Sequence, residues 1–178
     1  MDMALFEIFN GFAGKNHVID VVAMLIAEYF PYVFSLILAY LWLFKSRWRE
    51  RVLFAGYAAI IGLAANLLIT LVYFHPRPFM MHAGTLLIPH ASETSFPSDH
   101  GTLMCSVAFM LLTSHELRSS GATFVALSCI GGFARVYCGL HFPLDIYGSL
   151  LVAVCSTAVV YVLAPRLLMP FNRLVMAF

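Results

Sequence analysis

The sequence predicts an all-α integral membrane protein, a bundle of about five transmembrane helices preceded by a short N-terminal interfacial helix. Three observations lead there. Hydrophobic residues make up 62% of the 178-residue chain and charged residues only 11%, against about 25% charge in a soluble domain. The apolar residues gather into runs near the roughly 20-residue length that crosses a bilayer as a helix. The ten Lys and Arg residues stand between those runs or at their ends. The length fits one membrane-embedded domain over residues 1–178.

The elements read in order as follows. Leu5, Phe9 and Phe12 recur at helical spacing among Asp2, Glu7 and Asn10, the pattern of a short helix lying in the interface. This segment lacks the basic start and unbroken apolar stretch of a signal peptide. The expected spans are 21–44, 52–74, 100–113, 121–138 and 144–163; the third is the shortest and extends at most over 98–116. After Pro165 a tail mixes Arg166 and Arg173 with apolar residues. Trp42 and Trp48 read as interface anchors. Cys105, Cys129, Cys138 and Cys155 are scattered through apolar runs without a C-x-x-C pair or a His/Cys cluster, as small apolar residues inside helices are.

Orientation follows from the cations. Lys45, Arg47, Arg49 and Arg51 crowd the link between the first two spans, Arg118 lies between the third and fourth, and Arg166 and Arg173 follow the fifth. With five alternating spans these seven share one side, which the positive-inside rule makes cytoplasmic, and only Lys15, Arg77 and Arg135 fall on the other. The net charge of +1 gives no reason to expect nucleic acid as a partner.

Three segments fall at the outer ends of the spans: His75-Pro76-Arg77-Pro78, Pro97-Ser98-Asp99-His100, and the stretch 135–145. Phosphoryl transfer needs fixed cations, a nucleophile in line and an acid for the leaving oxygen. Arg77 and Arg135 suit a bidentate clamp on phosphate oxygens. Ser98 is placed as an N-cap, leaving the amides of Asp99, His100 and Gly101 near a helix start, a natural anion site. His141 and Asp145 are four residues apart, on one helical face if the helix reaches that far, and Pro143 between them suits a first helical turn. Asp145 would hold one ring nitrogen of His141, leaving the other to attack, and His100 would protonate the leaving group. A lone Arg or His at a helix end usually just snorkels to the interface. Two Arg, two His and an Asp on one face are not accounted for that way, because ionisable residues at membrane depth are functional by default.

These residues resemble the signatures of the type 2 phosphatidic acid phosphatase (PAP2) superfamily, K-x6-R-P, P-S-G-H and S-R-x5-H-x3-D. Arg77-Pro78 matches the end of the first, Pro97-Ser98-Asp99-His100 three positions of the second, and Arg135, His141 and Asp145 the third with its spacing intact. Thr70 stands where the family has lysine, Asp99 where it has glycine, and Ala134 where it has serine. The stretches 68–79, 87–90 and 95–100 are similar, more closely, to bacterial undecaprenyl pyrophosphate phosphatases of the bacitracin-resistance type. That resemblance implies hydrolysis of an isoprenoid pyrophosphate lipid to its monophosphate, without a metal or other cofactor, in a bacterial cytoplasmic membrane with the site on the extracytoplasmic face. It makes His141 the phosphohistidine nucleophile, Asp145 its partner, His100 the acid, and Arg77, Ser98 and Arg135 phosphate binders. Asp99 and Gly101 belong to the same phosphate segment, and Thr70, His75 and His90 are further candidates for the head group.

Two rivals stand beside this reading. One is a sister enzyme acting on phosphatidylglycerophosphate, phosphatidic acid or lipid A 1-phosphate. The other is a non-enzymatic protein that binds or flips membrane lipids, which would use the arginines but would not need His141 and Asp145 at this spacing. Asp99 is expected to turn away from the phosphate towards a basic or hydroxyl partner, since an ionised carboxylate beside phosphate is strongly repelled. Glu28, within the first span and just before Pro31, is either functional or paired with a polar neighbour.

Overall fold

A computed structural model describes residues 2–164, 166 and 169–175. Seven α-helices are found among them: α1 (Asp2–Asn10), α2 (His17–Phe44), α3 (Arg49–Val72), α4 (Asp99–Leu112), α5 (Arg118–Tyr137), α6 (Pro143–Leu163) and α7 (Met169–Val175). Short 3-10 turns precede α3 and α5, and another follows Arg77. α2 starts four residues before the expected span because Asn16 caps it: its side-chain oxygen accepts from Val18 N at 3.0 Å and Ile19 N at 3.2 Å.

The five expected spans fall on α2–α6. Three of these helices, α2, α3 and α6, are long and apolar enough to cross a membrane, over His17–Phe44, Ser46–Val72 and Pro143–Leu163, while α4 and α5 are not among them. α4 has 14 residues, about 21 Å of rise, short of a hydrocarbon core about 30 Å thick. The reason is its place in the bundle. α4 packs against α3, α5 and α6 and buries residues on nearly every side, among them Thr102, Met104, Ser106, Val107, Ala108 and Leu111. A helix shielded from lipid by its neighbours is released from the length rule.

The interior between the helices carries polar side chains. Asn66, Thr102, Ser106, Ser149 and Ser156 are buried, while Leu36, Leu68, Leu71, Val72, Tyr161 and Val162 are exposed where lipid would cover them. Lipid is as apolar as leucine, so close packing and interhelical hydrogen bonds hold such helices together. Ser106 and Ser156 hydroxyls meet at 3.1 Å between α4 and α6. Gly62 lets α3 approach them: a Cβ there would stand 2.8 Å from Thr102 Cγ2 and 3.0 Å from Ser106 Oγ.

α1 leaves Leu5, and Phe12 just beyond its end, exposed as an interfacial helix does, and turns another face inward, with Phe6 and Asn10 buried. Apolar side chains face lipid at little cost, so the inward face is free to do polar work. Phe6 packs edge-on to Phe142 at 5.3 Å. The Asn10 amide donates to the carbonyls of Thr85 and Tyr137, both at 2.8 Å, and accepts from Thr85 N at 2.6 Å. Asp2 accepts from Leu144 N at the start of α6. At the opposite end of the bundle Arg47 pairs with Glu116 at 2.9 Å, joining the α2–α3 and α4–α5 links. Of the tail, Pro165 and the side chain of Arg173 lie outside the described residues, Arg166 is exposed, and Asn172 on α7 accepts from Tyr57 at 2.8 Å.

Asn10→Leu keeps the shape but strands three backbone groups. Each buried unpaired group costs about 1–3 kcal/mol, so the variant is expected to lose several degrees of thermal midpoint in detergent. An unchanged midpoint contradicts the role given to this side chain.

Candidate active site

α5 ends at Tyr137, and Gly139, with φ of 77°, reverses the chain. Only glycine takes that backbone readily, and a side chain there would also strike the Thr85 carbonyl. Leu140 N bonds back to Arg135 O at 3.0 Å, Leu87 N holds Cys138 O at 3.1 Å, and Pro143 opens α6. The resulting turn delivers His141, 2% exposed, into the end of the bundle.

Both ring nitrogens of His141 have defined neighbours. Nδ1 lies 2.9 Å from the Ser95 carbonyl oxygen. A carbonyl only accepts, so Nδ1 carries the proton and Nε2 keeps its lone pair. Nε2 lies 3.3 Å from Arg77 Nη1 and 3.3 Å from Arg135 Nη2. Burial pushes the imidazole pKa down to about 3 against the pull of Asp145, with Arg135 and Arg77 adding to the fall. The ring is neutral at ordinary pH, with its free lone pair aimed between two guanidinium groups.

The direct His141–Asp145 bond expected from their spacing is not formed. Asp145 Oδ2 lies 3.6 Å from Nδ1, beyond a hydrogen bond. His141 precedes the helix, so the two residues do not share a helical face. Asp145 is the third residue of α6 and reaches back to the Phe142 N–H at 2.7 Å, one half of a capping box. Ser95 bridges the gap: its hydroxyl donates to Asp145 Oδ2 and stands 3.3 Å from His141 Nδ1. The other carboxylate oxygen lies 3.1 Å from His75 Nδ1. His75 thus stands behind the carboxylate and does not line the cavity described below, contrary to a head-group role.

The two arginines are tied in place. Arg77 Nη1 donates to Leu140 O at 3.0 Å and Nη2 to Glu93 Oε1 at 3.2 Å. Burial lowers the Arg77 pKa, and Glu93 opposes the fall. Arg135 Nη1 donates to Ala27 O at 3.0 Å on α2. That carbonyl is free because Pro31, four residues on, has no N–H to offer it. A proline within a membrane helix therefore anchors a cation on another helix. The Nε atoms of Arg77 and Arg135 are buried without a partner, donors that an anion is suited to satisfy.

A cavity of about 500 Å³ opens in front of His141. Arg77, His90, Glu93, Asp99, His100 and Arg135 line it with His141, and Leu67, Thr70 and Phe74 form its α3 side. Ser98 and Gly101 are not brought to it. Ser98 is buried, its hydroxyl accepts from Gly101 N at 3.3 Å, and its carbonyl takes the Ser149 hydroxyl at 2.9 Å. Both residues of the expected phosphate segment are thus spent on capping α4. Asp99 does bond a neighbour, but an amide in place of the expected base or hydroxyl: Asn66 Nδ2 donates to it at 2.7 Å. Thr70 bonds its own helix through Leu67 O at 2.8 Å. Glu28 is exposed on α2. The sequence reading missed Ser95, Glu93 and the Ala27 carbonyl. Pro31 was a signal for the last; the other two lie in a loop with no periodicity to place them.

The chain matches the PAP2 superfamily over residues 51–168. It is 41% identical over 155 residues to undecaprenyl-diphosphatase BcrC of Bacillus subtilis, covering 86% of this chain and 79% of that protein. Its fold is similar to the crystal structure of Aquifex aeolicus LpxE, with a TM-score of 0.74 and 23% identity over 89% of this chain and 93% of the other. It is also similar to a transmembrane PAP2-type phosphatidylglycerolphosphate phosphatase from Bacillus subtilis, with a TM-score of 0.70 and 17% identity over 93% and 85%. The two structures support the fold alone. The chain belongs to the PAP2 superfamily and is a lipid phosphatase.

Pro31→Ala restores a helical N–H that competes with Arg135 for Ala27 O. A hydrogen bond from a charged group is worth about 1.5–3 kcal/mol, so inhibition by inorganic phosphate is expected to weaken roughly tenfold while the thermal midpoint holds. Unchanged inhibition contradicts the anchoring of Arg135 by this carbonyl.

Proposed function

We propose that this PAP2 lipid phosphatase hydrolyses undecaprenyl pyrophosphate to the monophosphate through a phosphohistidine intermediate. The observation that carries the mechanism is a neutral His141 whose Nε2 lone pair lies 3.3 Å from each of two guanidinium groups. In the proposed first step Nε2 attacks the terminal phosphorus, Arg77 and Arg135 hold its equatorial oxygens, and the bond to the bridging oxygen breaks. His100, on the cavity wall, takes up a proton as the anionic head enters beside it and gives that proton to the departing lipid phosphate. In the second step His100 takes a proton from water, water attacks the phosphohistidine, and inorganic phosphate leaves. Ser95 and Asp145 hold the His141 ring and stabilise the positive charge it gains when phosphorylated.

The choice of lipid rests on likeness to undecaprenyl-diphosphatase BcrC. The cavity fits a lipid head delivered from the bilayer, with Leu67 and Phe74 on its α3 wall and exposed Leu68, Leu71 and Val72 continuing that face into lipid. The site belongs on the extracytoplasmic side of a bacterial cytoplasmic membrane. The link residues Lys45, Arg47, Arg49 and Arg51 lie at the other end of the bundle, where the positive-inside rule places the cytoplasm.

Three outcomes are expected. His141→Ala should lower phosphate release by at least about three orders of magnitude; more than a tenth of the wild-type rate in folded protein contradicts the nucleophile. Turnover of undecaprenyl pyrophosphate should exceed that of phosphatidylglycerophosphate, and the reverse order would reassign the substrate. A thiol at exposed Ser92 should react with an impermeant reagent outside intact cells, and one at Ser46 should not; the opposite pattern would put the site in the cytoplasm.

A further inference from the structure

Glu93 places a negative charge on the wall of a cavity whose cations face an anion. Its Oε1 accepts from Arg77 Nη2 at 3.2 Å and lies 3.5 Å from His90 Nδ1. The ion pair is lopsided: the Arg77 side chain is 6% exposed and that of Glu93 is 56% exposed. Arg77 is tied in place by Leu140 O, so the carboxylate is the partner free to move. A half-exposed pair is weak and readily exchanged. Arg77 Nη1 is already committed towards Leu140 O and His141 Nε2, which leaves Nε and Nη2, and Glu93 covers Nη2.

We propose that Glu93 is an internal competitor for Arg77, displaced by the second phosphate of a diphosphate head and returning to Arg77 when a single phosphate is left. This rests on the diphosphatase reading for the identity of the substrate, but not for the competition itself. With one phosphate of the substrate at His141, the second takes over Arg77 Nη2 and the neighbourhood of His90 as the carboxylate swings into solvent. Inorganic phosphate, or a monophosphate head, occupies the place beside His141 alone. It must then share Arg77 with a carboxylate of its own sign, which weakens it. After hydrolysis Glu93 returns to Arg77 and favours release of the phosphate product.

The test is Glu93→Gln, which keeps the shape and removes the charge, in the full-length protein in detergent. The inhibition constant of inorganic phosphate is expected to fall about fivefold, the size expected for losing one partly exposed charge. KM for the lipid diphosphate should fall at least as much, because in the wild type the second phosphate must break the Glu93–Arg77 pair to bind. Unchanged phosphate affinity overturns the proposal, and so does an unchanged KM, which would mean that the diphosphate does not displace Glu93. If the variant does not turn over, direct titration with inorganic phosphate decides in the same way. Failure of the diphosphatase reading would show separately, as wild-type enzyme preferring a monophosphate lipid, and the phosphate comparison would still judge Glu93.

Discussion

The hydrogen bond from His141 Nδ1 to the Ser95 carbonyl, 2.9 Å long, is the constraint on which the rest of the site depends. It fixes the tautomer, so the reactive lone pair is on Nε2. It fixes the ring plane, so that lone pair points between Arg77 and Arg135. It also explains why the loop 73–98 is bound so firmly to the rest of the chain. Ser95 N donates to His75 O at 2.7 Å, and the Ser95 hydroxyl holds Asp145. A single residue thereby joins the three segments that carry the chemistry. The carboxylate acts on His141 largely through this serine, while its own geometry is set by the cap of α6.

Burial makes the arrangement workable. Two guanidinium groups near an imidazole would suppress its protonation in any setting, and desolvation at 2% exposure strengthens the effect. A protonated ring has no lone pair and cannot attack, so the same forces that disfavour the imidazolium suit His141 to the nucleophilic role proposed for it. The cost is a concentration of cations with few counter-charges. It is offset by carbonyls: Leu140 O for Arg77 and Ala27 O for Arg135. Backbone oxygens partly solvate the guanidinium groups without the full negative charge that would compete with phosphate, and the partial exception, Glu93, is the acceptor most open to solvent.

Much of this was legible in the sequence. Apolar runs and basic links located the helices because membrane length and interface charge are strong, local constraints. The spacing from Arg135 to Asp145 marked residues that come together at the cavity because the turn between α5 and α6 is short and built around Gly139. Three things were hidden for physical reasons. The inward face of α1 did not follow apolar periodicity, since lipid accepts apolar residues on the outside and Asn10 had backbone groups to satisfy within. The shortness of α4 was legible in its apolar run, but the central position that permits it is not encoded by hydropathy. The parts played by Ser95 and Glu93 depend on how a long loop closes over the site, a tertiary fact with no trace in spacing.

The most direct test is the position of the phosphoryl group on the enzyme. Wild-type protein quenched in alkali during turnover of a substrate labelled in its terminal phosphate should carry base-stable label on His141, and digestion should yield the isomer phosphorylated on Nε2. That follows from Nδ1 being committed to Ser95. Label on Nδ1, or on a different residue, would contradict the account at its centre.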